Sequence, residues 1–174
     1  MTAEEELIEF DPVDEIGAGA FGEPGARVFV IQARKGDALL SVLVEKEQVR
    51  LLATEANQFL DRIAEEEPEE NLSVPEVPVT AAEPLFRARL IGIGYDPERQ
   101  LVLIELRETA VDEDDDPPPP PDESLGHIAR LYATREQVRA MARRGVLAVE
   151  SGRPTCPLCD FPMDPDGHIC PRWN

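Results

Sequence analysis

Four side chains that commonly bind metals lie close together near the end of the sequence. Cys156 and Cys159 form a Cys-x-x-Cys pair, and His168 and Cys170 follow after a short interval. All 3 cysteines of the chain and one of its 2 histidines therefore fall within residues 156–170. Thiolate sulfurs and an imidazole nitrogen at this spacing are typical of a tetrahedral zinc site. We predict that these four residues bind Zn²⁺.

The number of ligands indicates what the metal would do. Four protein ligands fill a tetrahedron and leave no position for water, so the predicted zinc is structural. Residues 160–167 contain too few hydrophobic side chains to bury a core, and the metal would hold them together. An unmetallated tail with free thiols and a redox-active cysteine pair are alternatives. A zinc-dependent hydrolase is a further one, and it would need one ligand to be absent from the metal.

Arginines recur along a predicted helix before this tail, and they are candidates for binding an anion or a partner. Arg135, Arg139 and Arg143 recur every four residues and so share one face of the helix. Arg144 is adjacent to this face, and Arg172 follows in the tail. One interpretation is a solvated face that pairs with acidic segments of the same chain. The other is a surface for an acidic partner or a nucleic acid.

Two further patterns do not predict catalysis. Residues 17–22 match Gly-x-Gly-x-x-Gly, but a dinucleotide site needs a helix after the glycines, and Pro24 and Gly25 follow instead. We predict a glycine-rich loop over residues 17–25. His127 falls on a predicted strand, where a structural histidine is the simpler interpretation. Because no set of nucleophile, base and acid emerges, we expect a non-enzymatic protein.

The composition limits the classes of partner and compartment. The chain has 174 residues, with 36 Asp and Glu against 17 Lys and Arg, and a formal net charge of -19. This charge repels nucleic acids and anionic membranes, so we expect another protein as the partner. No apolar run approaches the roughly 20 residues that span a bilayer. The acidic N-terminus lacks the features of a signal peptide. We therefore expect a cytoplasmic protein without membrane contact.

The pattern of apolar residues predicts the elements that position these side chains. β-branched runs predict hairpins over residues 26–44 and 86–107 and a strand near residues 125–133. Apolar residues at helical spacing predict helices over residues 45–67 and 134–151, and Thr134 and Gln137 match a capping box. Residues 71–84, which contain Pro75, Pro78 and Pro84, are predicted to form an extended linker. The fold class is α+β, with mostly antiparallel sheets and two main helices.

Two stretches of the sequence correspond without gaps. Residues 41–53 align with residues 130–142 and share Glu-Gln-Val-Arg, at 47–50 and 136–139. Each copy lies where a predicted strand passes into a helix. One interpretation is chance similarity between two amphipathic helix starts. The other is a duplicated unit of β-hairpin, strand and helix, with the two helices in equivalent positions.

The same features suggest a domain organisation. We predict an α+β domain over residues 1–153 and a zinc-knuckle or ribbon-like tail over residues 154–174. An acidic, proline-rich insert at about residues 109–124 has the composition of an unpacked segment.

Several segments together resemble a known family. They are Phe10-Asp11-Pro12, residues 22–27, Gln32-Ala33-Arg34, residues 152–159 and residues 164–172. In these segments the chain is similar to an uncharacterised actinobacterial family of conserved hypothetical proteins, a domain of unknown function. The resemblance covers nearly the whole chain, is most specific at the C-terminal end, and implies no activity.

The sequence thus predicts a non-enzymatic, zinc-binding module or adaptor for contact between proteins. The expected contact surface is the arginine-bearing helix together with the zinc knuckle. A nucleic-acid-binding or nucleic-acid-processing accessory protein that uses the same surface is the first alternative, and a zinc-dependent hydrolase is the second.

Overall fold

The computed structural model describes residues 6–23, 25–70, 72–108, 126–152, 155–161, 163 and 167–173. These residues form eight strands and two helices, which follow one another in chain order. The strands are β1 (Glu6–Phe10), β2 (Glu15–Phe21), β3 (Val28–Lys35), β4 (Ala38–Val44), β5 (Phe86–Arg87), β6 (Leu90–Asp96), β7 (Leu101–Arg107) and β8 (His127–Thr134). The helices are α1 (Lys46–Glu66), between β4 and β5, and α2 (Arg135–Glu150), after β8. The predicted insert at residues 109–124 lies outside the described residues.

The strands form two four-stranded sheets. Sheet I has the order β2-β3-β4-β5, and sheet II has the order β1-β8-β7-β6. The pairings β2–β3, β3–β4, β6–β7 and β7–β8 are antiparallel. In each sheet one edge strand is parallel to its neighbour, β5 to β4 and β1 to β8. The predicted α+β class with mostly antiparallel strands and two helices is confirmed, and both sheets are mixed.

Each sheet contains one copy of the same unit, which consists of three antiparallel strands followed by a helix. The first unit is β2-β3-β4-α1, and the second is β6-β7-β8-α2. The strand registers show which residues of the two units correspond. Gly17 pairs with Gln32 in the first unit, and Gly92 pairs with Glu105 at the equivalent place in the second. The strands β2 and β6 then align as Ile16-Gly17-Ala18-Gly19 and Ile91-Gly92-Ile93-Gly94.

The helix starts obey the same equivalence. Glu45 and Thr134 are the N-cap residues, and their backbone N–H groups donate to the side chains of Gln48 (2.8 Å) and Gln137 (2.9 Å). The capping box predicted for α2 is confirmed. Each glutamine amide also reaches the other unit. Gln48 donates to the carbonyl of Arg89 just before β6 (3.3 Å), and Gln137 to that of Asp14 just before β2 (3.1 Å).

Each unit is preceded in the chain by a short strand that pairs with the other unit. β1 precedes β2 in the chain but pairs with β8, and β5 precedes β6 but pairs with β4. Phe10 of β1 pairs with Leu131, and Phe86 of β5 pairs with Val42, the residue equivalent to Leu131. Of the two interpretations of the internal correspondence, the structure supports the duplicated unit, because each helix follows the third strand of its unit and begins with a capping box at the equivalent residue.

One core joins both units. It contains fully buried side chains of both sheets and both helices, including Ile31, Leu60, Ile104, Leu131 and Met141. α2 lies close to α1 and β2 because Gly145 has no side chain. A Cβ added there would lie 3.0 Å from Val49 of α1 and 3.6 Å from Ala18 of β2. Burial of apolar surface from both units makes their association the main source of stability.

The glycine-rich stretch departs from the prediction of a loop. Residues 15–21 form strand β2, and Gly22 and Gly25, with φ of 102° and 91°, lie in the turn that follows. The prolines at 75 and 78 belong to an extended stretch, as predicted, but it packs on sheet I. We call residues 74–80 the covering segment. A Cβ on Gly17 would lie 2.5 Å from the carbonyl oxygen of Val77, so this approach requires glycine.

The side chain of Gln32 in sheet I holds the covering segment. The Gln32 amide accepts the backbone N–H of Thr80 (2.9 Å) and donates to its carbonyl (2.7 Å). Under the segment Val30 is 0% exposed, Gln32 5% and Ser41 3%. The middle of the outer face of sheet I is therefore covered by the chain itself. Neither of the two described helices is long and apolar enough to cross a membrane.

Candidate metal centre

The two cysteines that begin the candidate metal site follow shortly after the end of α2. The helix ends with Ser151, whose backbone N–H donates to the carbonyl of Leu147 (2.9 Å). A tight turn over residues 156–160 comes next. The N–H of Asp160 donates to the carbonyl of Cys156 (2.9 Å), and the N–H of Cys156 to the carbonyl of Phe161 (2.8 Å). This turn places Cys156 and Cys159 on the same side of the chain.

A second turn supplies the other two ligands. His168 and Cys170 follow Gly167, whose φ of 93° suits glycine, and the N–H of Trp173 closes the turn on the carbonyl of Cys170 (3.1 Å). The ligand atoms of all four residues lie within 4.8 Å of one another. The structure therefore brings together the four residues that the sequence singled out.

The distances between the ligand atoms suit a single ion at their centre. The sulfurs of Cys156 and Cys170 are 3.9 Å apart, and the Cys159 sulfur is 3.3 Å from Nε2 of His168. In a regular tetrahedron with metal–sulfur bonds of about 2.3 Å, the edges between ligands measure roughly 3.6–3.8 Å. Cys156 and Cys170 are buried, with 4% and 8% of their surface exposed. The donor set and its geometry fit a metal ion.

The electrostatics of the cluster also favour a cation. Hydrogen bonds from the backbone N–H groups of Leu158 and Cys159 lower the pKa of the Cys156 thiol. Desolvation and the neighbouring thiols raise the pKa of the Cys159 thiol. Several thiolates can coexist at these distances only when a positive charge offsets their repulsion. A divalent ion held by these four residues would supply that charge, and the remaining thiol protons would be released when it binds.

The first arginine of α2 is part of the interior. Arg135 is 6% exposed, and its guanidinium donates to the carbonyl of Glu67 at the end of α1 (2.6 Å). It therefore ties the two helices together. The sequence pattern placed it on an exposed face because the position of α1 is not contained in the spacing of the arginines.

The next two arginines of α2 bind carboxylates of the same chain. Arg139 donates to Glu69 (2.9 Å) and to Asp61 (2.9 Å), and Arg143 donates to Glu76 (3.1 Å). This is the pairing with acidic segments that the first interpretation of the arginines described. Binding of an external anion by this face stays a prediction, and it would require the guanidinium groups to exchange partners.

The remaining two candidate arginines differ in their surroundings. Arg144 is half-buried on α2. Arg172 lies in the tail that carries the candidate metal ligands, and its guanidinium donates to the carbonyl of Leu158 in the first turn (3.2 Å). Arg172 thus links the two turns that carry the four ligands.

His127 belongs to a polar cluster at the start of β8. Its Nδ1 lies 2.7 Å from the Glu108 carboxylate, and its ring stacks on Phe86 with 5.4 Å between the ring centroids. The carboxylate also accepts the backbone N–H of His127 (3.0 Å). These contacts hold β8 beside the end of β7 and are consistent with the structural role expected for this histidine.

The comparison with family models decides the family. A model of proteins of unknown function, DUF3090, matches residues 8–170. The chain belongs to the DUF3090 family. This confirms the resemblance to a domain of unknown function, while the actinobacterial source of the family stays a prediction. The match includes the four metal-ligand candidates as well as both repeated units. No curated protein and no solved structure matches the chain.

Proposed function

We propose that this DUF3090 protein is a non-enzymatic module for contact with another protein, and that structural Zn²⁺ shapes its contact surface. The observation that carries the proposal is the convergence of Cys156, Cys159, His168 and Cys170 within 4.8 Å. Three sulfurs and one imidazole nitrogen are preferred ligands of Zn²⁺. With four protein ligands the coordination shell is complete, which suits a structural ion.

The surface around the ligands supports a role in binding. Four large apolar side chains between the ligands and beside them are exposed: Leu158 (52%), Phe161 (58%), Ile169 (98%) and Trp173 (81%). Apolar side chains grouped on so short a segment are typical of interaction sites, since exposure to water gains nothing for the free protein. Aromatic anchors such as Trp and Phe contribute most where they fill a pocket of the partner.

Zn²⁺ would act by fixing these side chains. The two turns each carry two ligands, and one ion bound to both would hold Phe161 and Trp173 at a set separation. Without the ion the ordering of the tail would cost conformational entropy that its few buried side chains cannot offset. We therefore expect the contact surface to depend on the metal, while the two repeated units fold without it.

The metal part of the proposal can be measured on the full chain. Trp173 is the only tryptophan, so its fluorescence reports on the tail alone. We expect elemental analysis to find about one equivalent of zinc per chain. Strong chelation should change the emission and anisotropy of Trp173 and leave the far-ultraviolet circular dichroism almost unchanged. A zinc content below about half an equivalent, or Trp173 fluorescence that does not change on chelation, would overturn the assignment.

The binding part is tested with the same protein as bait. We expect Ile169→Asp to retain zinc, since this side chain is 98% exposed, but to lose a protein that the wild-type chain captures from its native host. Leu147→Asp is the matched control, because Leu147 is an exposed leucine (51%) on α2, outside the tail. Equal capture by both variants and the wild type would reject the proposed surface.

A further inference from the structure

Of two equivalent surfaces in the internal repeat, the described residues cover only one. On sheet I the covering segment lies across Gly17 and Gly19, and a Cβ on Gly19 would come within 2.9 Å of Val79. The equivalent residues of sheet II are Gly92 and Gly94. Within the described part of the chain, a Cβ at either would meet only its β7 neighbour, Glu105 Cβ at 3.9 Å or Leu103 Cβ at 3.8 Å.

The rows of paired residues beside these glycines correspond as well. On sheet I they are Gly17–Gln32–Ser41 and Gly19–Val30–Leu43. On sheet II they are Gly92–Glu105–Arg130 and Gly94–Leu103–Tyr132. We call the six residues of sheet II the open track. Leu103 gives it apolar surface next to Gly94 and is only partly buried, whereas Val30 on sheet I is 0% exposed. Tyr132 lies one strand further, also partly buried, with the Arg99 guanidinium 5.0 Å above its ring.

The open track also carries polar groups that can hold a peptide backbone. On sheet I one amide, that of Gln32, both accepts from and donates to Thr80. At the equivalent position Glu105 offers carboxylate oxygens as acceptors. Arg130 donates to Glu105 from the next strand (2.8 Å), and its guanidinium has further N–H groups available as donors. The pair can therefore satisfy one backbone N–H and one carbonyl of an added segment.

The exposed charge at this end of the track is positive. Arg107 and Arg130 both donate to Glu105, at 2.7 and 2.8 Å. Their side chains are 40% and 36% exposed, against 20% for the carboxylate between them. Glu9 pairs with Arg130 from β1 and offsets part of its charge, so the uncompensated positive charge lies on the side of the glycines, at Arg107. A segment with an acidic residue would thus meet complementary charge, although the chain as a whole has a net charge of -19.

We propose that the open track binds an extended, acidic segment of another protein, rich in valine and proline, with its backbone over Gly92 and Gly94. The binding mode is the one that the covering segment uses on sheet I. An extended segment of this composition loses little conformational entropy on binding. The site is separate from the metal-binding tail, so it can be tested independently of the proposed contact surface there.

The probe is a fluorescently labelled synthetic peptide with the sequence of residues 72–85, which contains the covering segment and the acidic residues Glu76 and Glu83. Its binding to the full chain is measured by fluorescence anisotropy. We expect saturable binding that weakens with salt, as charge complementarity requires. A scrambled peptide of the same composition should not bind.

The decisive variant is Gly92→Val with Gly94→Val. Neither glycine has a positive φ, and the nearest atoms lie at 3.8–3.9 Å, so the fold accepts both side chains. We expect peptide binding at least about tenfold weaker, because the valines occupy the space of the peptide backbone. If the double variant does not fold, Gly94→Val alone serves the same purpose. The control is Leu51→Ala, which changes the groove between α1 and β6 on the other face of β6 and should leave the affinity unchanged.

Four results would overturn the proposal. They are no binding of the peptide; equal binding by the glycine variants; binding lost in Leu51→Ala instead; and binding seen only after deletion of residues 109–124, which would make that insert the occupant. Sedimentation of the free chain gives a further criterion. A dimer abolished by the glycine variants would assign the open track to a second copy of the chain, whereas a monomer agrees with the proposal.

Discussion

The contact between β2 and the covering segment predicts opposite effects for the same substitution at two equivalent positions. In Gly17→Ala the new methyl group would lie 2.5 Å from the Val77 carbonyl oxygen. Carbon–oxygen contacts of this kind normally measure about 3.3 Å or more, so the segment must move by roughly 1 Å. In Gly92→Ala the nearest atom is Glu105 Cβ at 3.9 Å, an ordinary contact.

The magnitude follows from what the displaced segment loses. Overpacking costs about 1–3 kcal/mol. The two hydrogen bonds between Gln32 and Thr80 contribute about 1 kcal/mol each, and a shift of this size weakens both. We expect Gly17→Ala to lower the free energy of unfolding by roughly 2–4 kcal/mol, which for a chain of this size lowers Tm by about 5–15 °C. Gly92→Ala should leave Tm unchanged or slightly higher, because alanine reduces the freedom of the unfolded chain.

Two measurements check this prediction. Thermal unfolding followed by circular dichroism gives the difference in Tm between the two variants. Cleavage by a glutamate-specific protease at Glu76, which lies in the covering segment, reports whether the segment has detached while the rest stays folded. Equal Tm values together with equal cleavage rates in the two variants would refute the argument that the segment forces glycine at position 17.

The remaining predictions concern the helix starts, the helix crossing and one carboxylate. Gln48→Ala and Gln137→Ala should each cost about 1 kcal/mol in chemical denaturation, and the costs should add in the double variant because the capping boxes are separate; one silent variant would contradict their equivalence. Gly145→Leu should lower Tm strongly because Val49 lies 3.0 Å from the added Cβ, whereas Leu147→Ala on the exposed face of α2 should not. Partial burial tends to raise the pKa of Glu105, but hydrogen bonds from Arg130 and Arg107 outweigh it and lower the pKa. The resulting stabilisation is present above the ordinary glutamate pKa of about 4.3 and is lost as the pH falls. The Tm difference between wild type and Glu105→Gln should therefore be largest near pH 7 and disappear toward pH 3, and a difference that grows on acidification would contradict it.

The repeat shows how far a local pattern can predict long-range structure. The shared Glu-Gln-Val-Arg marked two equivalent helix starts because a capping box is a contact between residues three apart in sequence. The equivalence of β2 and β6 was not apparent from that alignment, although both contain Ile-Gly-x-Gly. It emerges only from the registers, because the loops between the strands differ in length in the two units. The shared Ile-Gly-x-Gly pattern could have shown that residues 15–21 form a strand, because the second copy of the pattern lies in a predicted strand.

The arginines of α2 show the limit of reasoning from spacing. A four-residue repeat indicates a common face of a helix, but it does not say what lies against that face. The acidic partners Asp61, Glu69 and Glu76 are 67–78 residues away in sequence. Their pairing with Arg139 and Arg143 depends on the antiparallel strands that bring the end of α1 and the covering segment to α2.

The sequence by itself determined both helices, most of the strands and the four candidate metal ligands of this DUF3090 protein. Hydrophobic periodicity, capping residues and Cys-x-x-Cys spacing act over a few residues, so they can be recognised without the fold. The tertiary structure alone decided the pairing of β1 with β8 and of β5 with β4, the burial of Arg135 and, among the described residues, the covering of the middle of sheet I but not of sheet II. These features depend on which distant segments come together, and that follows from the packing of the two units around one core.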